Sequence, residues 1–258
     1  MQNFSKGENV GNYVLEKKLG EGGWGEVWLA RHSAIKNKPP VAIKFLLYLR
    51  EDMKKRFKQE ADILYNLRSN PHIITVEDFG EHNGISYFMM QYAPGGDLSG
   101  KIGRGMSPEV VEHYLKQIAN ALDYAHAKGI IHRDLKPGNI LFDKAGKLLL
   151  SDFGIAHTEG SNYTKTDSRL GTPPYMAPEQ FTNAKAVKNT ADIYSLGVVV
   201  FQLLTGSLPF LNLDHDELLK QKKVPKLESY RSGLPKGLQA VIEKAMAKEP
   251  DKRYQTAE

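Results

Sequence analysis

The chain contains no cysteine, which excludes disulfides, thiolate metal ligands, a cysteine nucleophile and thiol redox switching. No basic-then-apolar opening marks a secretory leader. The longest apolar run, residues 196–204, is broken by Gly197 and Gln202. It is far shorter than the ~20 apolar residues that cross a bilayer. Charge of one sign is also scarce, because 35 Lys and Arg against 30 Asp and Glu leave only +5. The basic residues are scattered in short groups (Lys17-Lys18, Lys54-Lys55-Arg56, Lys222-Lys223), so no nucleic-acid partner is expected. No internal repeat or low-complexity segment is present. What is present is a globular composition, 41% apolar and 25% charged over 258 residues. A chain of this size can bury about three quarters of its unfolded surface, as one large domain or two small ones. A soluble, cytoplasmic protein with no membrane span in this segment is expected.

The periodicity divides the chain. Residues 12–92 read mostly as strand, with short β-prone runs at Val14-Leu15, Val27-Trp28-Leu29 and Val41-Ala42-Ile43-Lys44-Phe45 separated by Gly or Pro. Met53, Phe57, Leu64 and Leu67 recur at helical spacing and predict one helix over 51–67. Strands are expected again at 73–79 and 86–91, joined across His82-Asn83-Gly84, where Asn-Gly favours a hairpin. Ala93-Pro94-Gly95-Gly96 reads as a linker. Residues 93–258 are mainly helical. Ser107-Pro108 places an N-cap before proline at the first helical position, and Val111, Leu115, Ile118 and Leu122 form the stripe behind it. A second helix, about 191–204, is apolar nearly all round and predicts a buried centre. The fold class is therefore α+β and bilobal, a small β-rich lobe with one key helix followed by a larger, mainly helical one. Thr256-Ala257-Glu258 reads as the opening of a capped helix, which places Glu258 at an interior point of a longer protein.

Several residue groups carry chemistry. Gly20-Glu21-Gly22-Gly23-Trp24-Gly25 fits G-x-G-x-x-G, a turn whose glycines let backbone approach phosphates. The same pattern opens dinucleotide-binding domains, but those need a helix after the glycines and an acid about twenty residues on. Here residues 26–30 read as strand, and the residue nineteen positions past Gly25 is Lys44. Lys44 lies on a strand and Glu60 on the next helix, where the two can pair, although each read singly is a solvated surface charge. Asp134 and Asn139 sit in the polar loop His132-Arg133-Asp134-Leu135-Lys136-Pro137-Gly138-Asn139, and Asp152-Phe153-Gly154 follows an apolar strand. Two acids and an amide so spaced suit a general base and a pair of hard-cation ligands.

With Ala177-Pro178-Glu179 downstream, these motifs resemble, in order, those of the eukaryotic-type protein kinases, and specifically the bacterial Ser/Thr branch, over about residues 12–258. The resemblance implies transfer of the ATP γ-phosphate to protein Ser/Thr hydroxyls, including the chain's own loop. ATP would contact Leu19, Gly20, Gly22, Gly25, Val27, Ala42, Lys44, Met90, Gln91, Ala93 and Leu141. Asp97 is suited either to the ribose hydroxyls or to capping the next turn. Asp134 would act on the substrate hydroxyl, with Lys136, Lys44 and Glu60 completing the machinery. Asn139 and Asp152 would hold Mg2+, with Mn2+ as an alternative. Leu64, Val76, His132 and Phe153 match a stacked column anchored by Asp192, and Glu179 matches a buried ion pair with Arg253. Thr164 and Thr166 match phosphorylation sites, with Arg133, Arg56 and His157 as the phosphate pocket, and Thr172 matches a contact to Asp134 and Lys136. Protein substrates are implied, as is a homodimer through the small lobe. Departures are few: Gly23 and Trp24 at the loop tip, and Gln91 where an acid is common. The alternative function is a pseudokinase-type ATP-binding scaffold, a class usually marked by loss of one of Lys44, Asp134, Asn139 or Asp152, all of which stand here. A membrane anchor beyond residue 258 is compatible with the branch.

Overall fold

The computed structural model describes residues 4–22, 25–47, 50–153, 174–182, 187–210 and 223–258. Six strands, β1 (Asn9–Val10), β2 (Tyr13–Gly22), β3 (Gly25–His32), β4 (Val41–Leu46), β5 (Val76–His82) and β6 (Ile85–Gln91), form an antiparallel sheet in the order β1-β2-β3-β4-β6-β5. Alternation along β4 gives the sheet two buried faces. Val41, Ile43 and Phe45 point to one, where they meet Trp28, Tyr87 and Phe4, whose ring stacks on Phe45 at 3.8 Å. Ala42 and Leu46 point to the other, onto helix α1 (Glu51–Leu67). Lys44 shares that second parity, so the strand's own pleat turns its amine toward the helix, and a one-residue slip would bury it in the wrong core.

Helix α1 occupies the residues that the apolar spacing predicts. Met53, Phe57, Ala61, Leu64 and Leu67 are buried along one stripe, and Glu51 and Asp52 complement the helix dipole in the first turn. Phe57 packs on Phe88 of β6 at 4.9 Å between ring centroids. Truncating such a buried ring costs about 3–5 kcal/mol, so this contact sets where the helix lies on the sheet.

The predicted strand at 73–79 begins later than expected. Ile73 and Ile74 instead join the larger lobe: Ile74 N–H donates to Leu150 O at 2.9 Å, and Leu150 N–H donates to His72 O at 2.8 Å. Their apolar character is satisfied by the core below the sheet, and only Val76 onward pairs with β6. In the larger lobe, α2 (Pro108–Ala127) begins at Ser107, whose hydroxyl accepts from Val110 N–H. Helix α4 (Thr190–Thr205) is buried at all but one position, Gln202. A short hairpin of β7 (Ile140–Phe142) and β8 (Leu148–Leu150) lies between the lobes. Among the described residues, α3 (Pro178–Thr182) and α5 (Leu238–Ala245) are the remaining α-helices.

The linker is clasped onto that hairpin. Gly95 N–H donates to Phe142 O and Phe142 N–H to Gly96 O, both at 2.9 Å. A Cβ on Gly95 would stand 2.6 Å from Phe142 Cβ, so only glycine allows this approach. The hairpin thus carries the linker at one end and displays two polar loops, 132–139 and 151–153, at the other.

Candidate active site

Lys44 is the meeting point of the two lobes. Its Nζ lies 2.7 Å from Glu60 Oε1 and forms a second ion pair with Asp152 Oδ1. Glu60 reaches it because it sits between Phe57 and Ala61 on the helix face that packs the sheet. Two acids compete for one cation. Burial would lower the Lys44 pKa, but the charges of Asp152 and Glu60 raise it above the ordinary lysine value. Burial also raises the Glu60 carboxyl, to about 7, with Lys44 opposing the shift. Burial alone would raise Asp152 as well, yet the charge and hydrogen bond of Lys44 hold it below the usual carboxylate range.

The polar loop is organised from beneath by Asp192, a fully buried residue of α4. Its carboxylate accepts from His132 N–H and Arg133 N–H, each at 2.8 Å, and from His126 Nε2 at 2.7 Å. A buried carboxylate with three donors is well compensated. Arg133 takes a left-handed backbone (φ 65°), as does Asp152 (φ 54°), conformations that cost non-glycine residues energy and persist where surroundings impose them. His132 is buried; Nε2–H donates to Ser151 O at 3.0 Å, while Nδ1 accepts from Asp134 N–H at 3.3 Å. These partners fix one neutral tautomer, and burial lowers the ring's pKa against the pull of Asp192, Asp134 and Asp152. The ring packs on Phe153 at 4.6 Å, and Leu64 and Val76 lie in the same core.

Asp134 is positioned by its neighbours. Lys136 Nζ stands 2.8 Å from Asp134 Oδ2, and Asn139 Nδ2 donates to the same oxygen at 2.9 Å and to Asp134 O at 2.8 Å. With its amide nitrogen so used, Asn139 has its Oδ1 to offer a cation. Ser151 ties the two loops together, its N–H and Oγ both donating to Asn139 O. An amide oxygen and a carboxylate form the kind of sparse oxygen set that holds Mg2+ when phosphates supply further ligands. Among the described residues, no cluster of three or more His, Cys, Asp or Glu forms a self-sufficient metal cage.

The residues expected to contact a nucleotide lie on β2, β3, β4, β6, the linker and β7. Gly22 pairs with Gly25 at the end of the β2–β3 hairpin, and Lys44 lies opposite Val27 on β3. Ala42 pairs with Met90, and Gln91 N–H donates to Thr75 O at 2.8 Å. Leu19 is exposed, while Val27, Gln91, Ala93 and Leu141 are half-buried. Asp97 accepts from Gly100 N–H at 3.2 Å and from Ser99 Oγ. Arg56 and Arg133 are half-buried and both engaged with other groups. Thr164, Thr166, His157 and Thr172 lie outside the described residues. The spacing missed His126 and Gln180, whose partners are distant in sequence; the one signal they gave was a polar residue beside buried helical positions.

A glycine hairpin above a lysine shared by two acids, facing a loop with an acid, a lysine and an amide, defines the active-site class of a nucleotide-dependent phosphotransferase. Comparison with known proteins is specific. Residues 13–258 match the protein kinase domain family, to which the chain belongs, and its relatives place it with the bacterial serine/threonine kinases. It is 36% identical to the serine/threonine-protein kinase PknH of Mycobacterium tuberculosis, over 99% of this chain and 42% of that protein. Identity to the serine/threonine-protein kinase PrkC of Bacillus subtilis is 35%, over 96% of this chain and 39% of that protein. The chain thus spans about two fifths of the length of these relatives. Among solved structures, the M. tuberculosis PknI kinase domain superposes with a TM-score of 0.77 at 29% identity, covering 99% of this chain and 95% of that one. The family uses ATP and a divalent metal. Among the described residues, no helix is long and apolar enough to cross a membrane.

Proposed function

We propose that the protein transfers the γ-phosphoryl group of ATP to Ser and Thr hydroxyls of protein substrates, with Asp134 as the base. The observation that carries this reading is the joining of Lys44 to both Glu60 and Asp152, above a loop in which Asp134 is held by Lys136 and Asn139. The hydroxyl oxygen forms its bond to phosphorus as the bond to the ADP oxygen breaks, and Asp134 accepts the hydroxyl proton. Lys136 offers charge to the group in transfer, and Lys44 holds the phosphates that stay behind. Mg2+, held by Asn139 and Asp152 with Mn2+ as the alternative, would neutralise developing phosphate charge. Asp134→Asn, which keeps the shape of the side chain, should abolish most transfer and leave ATP binding nearly intact. Transfer at the wild-type rate in that variant would overturn the assignment.

The same reading takes residues 12–92 and 93–258 as the two lobes of a single kinase domain placed in the cytoplasm. It takes Thr164 and Thr166 as sites of autophosphorylation, read by Arg133, Arg56 and His157. Phosphate on neither threonine in active protein, by mass spectrometry, would remove that part. Pairing of two copies through the small lobe makes autophosphorylation rate per molecule rise with protein concentration; a constant rate speaks against it.

A further inference from the structure

The peptide units on either side of Arg133 are each held by a buried side chain. The unit before it is held through Arg133 N–H, which donates to Asp192 Oδ1 at 2.8 Å. The unit after it, which carries Asp134 N–H, is held through Arg133 C=O, which accepts from Gln180 Nε2 at 2.9 Å. Between the two clamps the arginine keeps its left-handed φ of 65°. With the Gln180 clamp released, the 133–134 peptide keeps only the 3.3 Å bond from Asp134 N–H to His132 Nδ1, so the backbone can relax toward the ordinary regions and the Asp134 side chain can turn with it.

Gln180 is well placed to hold. It is 6% exposed, and its other amide atom, Oε1, accepts from Ala177 N–H at 2.9 Å. Turning the amide over would set oxygen against carbonyl and NH2 against N–H, so the two bonds fix one orientation. The helix that bears it is itself anchored, because the adjacent Glu179 is bonded twice to Arg253. A continuous set of contacts therefore runs from the buried Arg253 through α3 and the Gln180 amide to the peptide bearing Asp134.

We propose that Gln180 is a positioning residue for phosphoryl transfer: its side-chain amide sets the plane of the 133–134 peptide and thereby the aim of the Asp134 carboxylate. This rests on Asp134 as the base. It differs from a merely structural part in α3, which the bond to Ala177 N–H alone would supply.

Two variants separate these parts. Gln180→Glu keeps an acceptor for Ala177 N–H but offers Arg133 O no donor, and Gln180→Met offers neither. Kinetics would be measured with ATP and a Thr-containing peptide that the wild-type chain phosphorylates, alongside calorimetric binding of a non-hydrolysable ATP analogue and thermal unfolding. Both variants are expected to lower kcat by about tenfold to a hundredfold, the scale of a small misplacement of a reacting group. KM for ATP should stay within about twofold, and analogue binding should be unchanged. Wild-type kcat in Gln180→Glu, or equal losses in kcat and nucleotide affinity, would overturn the inference. If Gln180→Glu does not fold, Gln180→Met decides by the same criteria. Asp134→Asn is assayed in parallel. Normal Gln180 variants beside an inactive Asp134→Asn defeat the positioning role alone, whereas an active Asp134→Asn defeats the base on which it rests.

Discussion

Glu179 and Arg253, 74 positions apart, are joined by two parallel hydrogen bonds of 2.6 and 2.8 Å, and the arginine side chain is wholly shielded from solvent. The same guanidinium donates to the carbonyls of Ala247, Thr190 and Lys248. This satisfies the planar fork that distinguishes arginine from lysine. The pair fastens Arg253 to α3 and so helps to hold the larger lobe together.

Removing one partner leaves the other charge buried. Glu179→Gln should therefore destabilise folding by about 3–5 kcal/mol, and Arg253→Lys should recover little, because one ammonium cannot serve five acceptors. Urea unfolding of the three proteins measures this directly. A change below about 1 kcal/mol in Glu179→Gln, the scale of an exposed pair, would mean that the pair contributes little.

Lys44 yields a different expectation, because it has two acids. Lys44→Met removes the cation from both and should reduce transfer severely. Glu60→Gln leaves Asp152 as the remaining acid on Lys44, so the amine stays but swings toward Asp152. Loss of one charge-assisted hydrogen bond is worth about 1.5–3 kcal/mol, or roughly ten- to a hundredfold in rate. Glu60→Gln should thus retain more activity than Lys44→Met, with a raised KM for ATP. Equal residual activity in the two would show that Asp152 cannot hold the amine alone.

Much of this was legible in the amino-acid order. The helix at 51–67 was readable because its apolar spacing and flanking charges are local properties, and Ser107-Pro108 announced α2 for the same reason. The motif residues were readable because the chemistry demands particular side chains at short spacing. What could not be read were pairings set by the folded chain. Ile73 and Ile74 carry strand-like side chains, yet Ile74 N–H and His72 O pair with Leu150 of β8, and both isoleucines are buried in the core that α1 shares with the larger lobe. Asp123, 134 positions before Ala257, accepts from the amides of Ala257 and Glu258, a pairing that no local spacing announces. Gln180 and His126 belong to the same class, polar residues whose meaning depends on a partner no spacing reveals.

His132 gives a pH dependence. Its ring is buried and neutral, with its pKa below the ordinary value, while Asp192, Asp134 and Asp152 pull the other way and His126 shares Asp192 beneath it. The unfolded chain takes up a proton on this histidine below about pH 6.5, and the folded one resists. Stability therefore falls as pH drops through 6.5 toward the lower folded pKa, by at most about 1.4 kcal/mol per unit from this group. His132→Phe removes that slope, so the wild-type advantage in unfolding free energy, measured by urea titration, should shrink from pH 7.5 to 5.5 by up to about 1.4 kcal/mol. A constant difference would show that His132 does not titrate differently on folding.

The three motif glycines of the hairpin, Gly20, Gly22 and Gly25, should separate when each is replaced by alanine. A Cβ on Gly25 would lie 1.8 Å from Phe45 O and 2.9 Å from Phe45 C, both backbone atoms of the neighbouring strand that cannot turn aside. Gly20 and Gly22 have nothing within 4 Å of the corresponding position. Gly25 is thus required by sheet packing, whatever it also does for a phosphate, and Gly25→Ala must push β3 away from β4. Overpacking of this kind costs about 1–3 kcal/mol, and the strand that moves carries Val27 opposite Lys44. Gly20→Ala and Gly22→Ala meet no clash and restrict the unfolded chain, so they should leave the melting temperature unchanged or slightly raised. Their effect should fall on ATP, through methyl groups placed where the phosphates approach, and should appear as a higher KM. Thermal unfolding with and without an ATP analogue distinguishes the cases. Gly25→Ala should lower the melting temperature in both, whereas Gly20→Ala and Gly22→Ala should reduce only the shift that the analogue produces. A Gly25→Ala protein as stable as wild type would mean that the hairpin end yields to the added methyl, and that the third glycine, like the first two, serves the nucleotide alone.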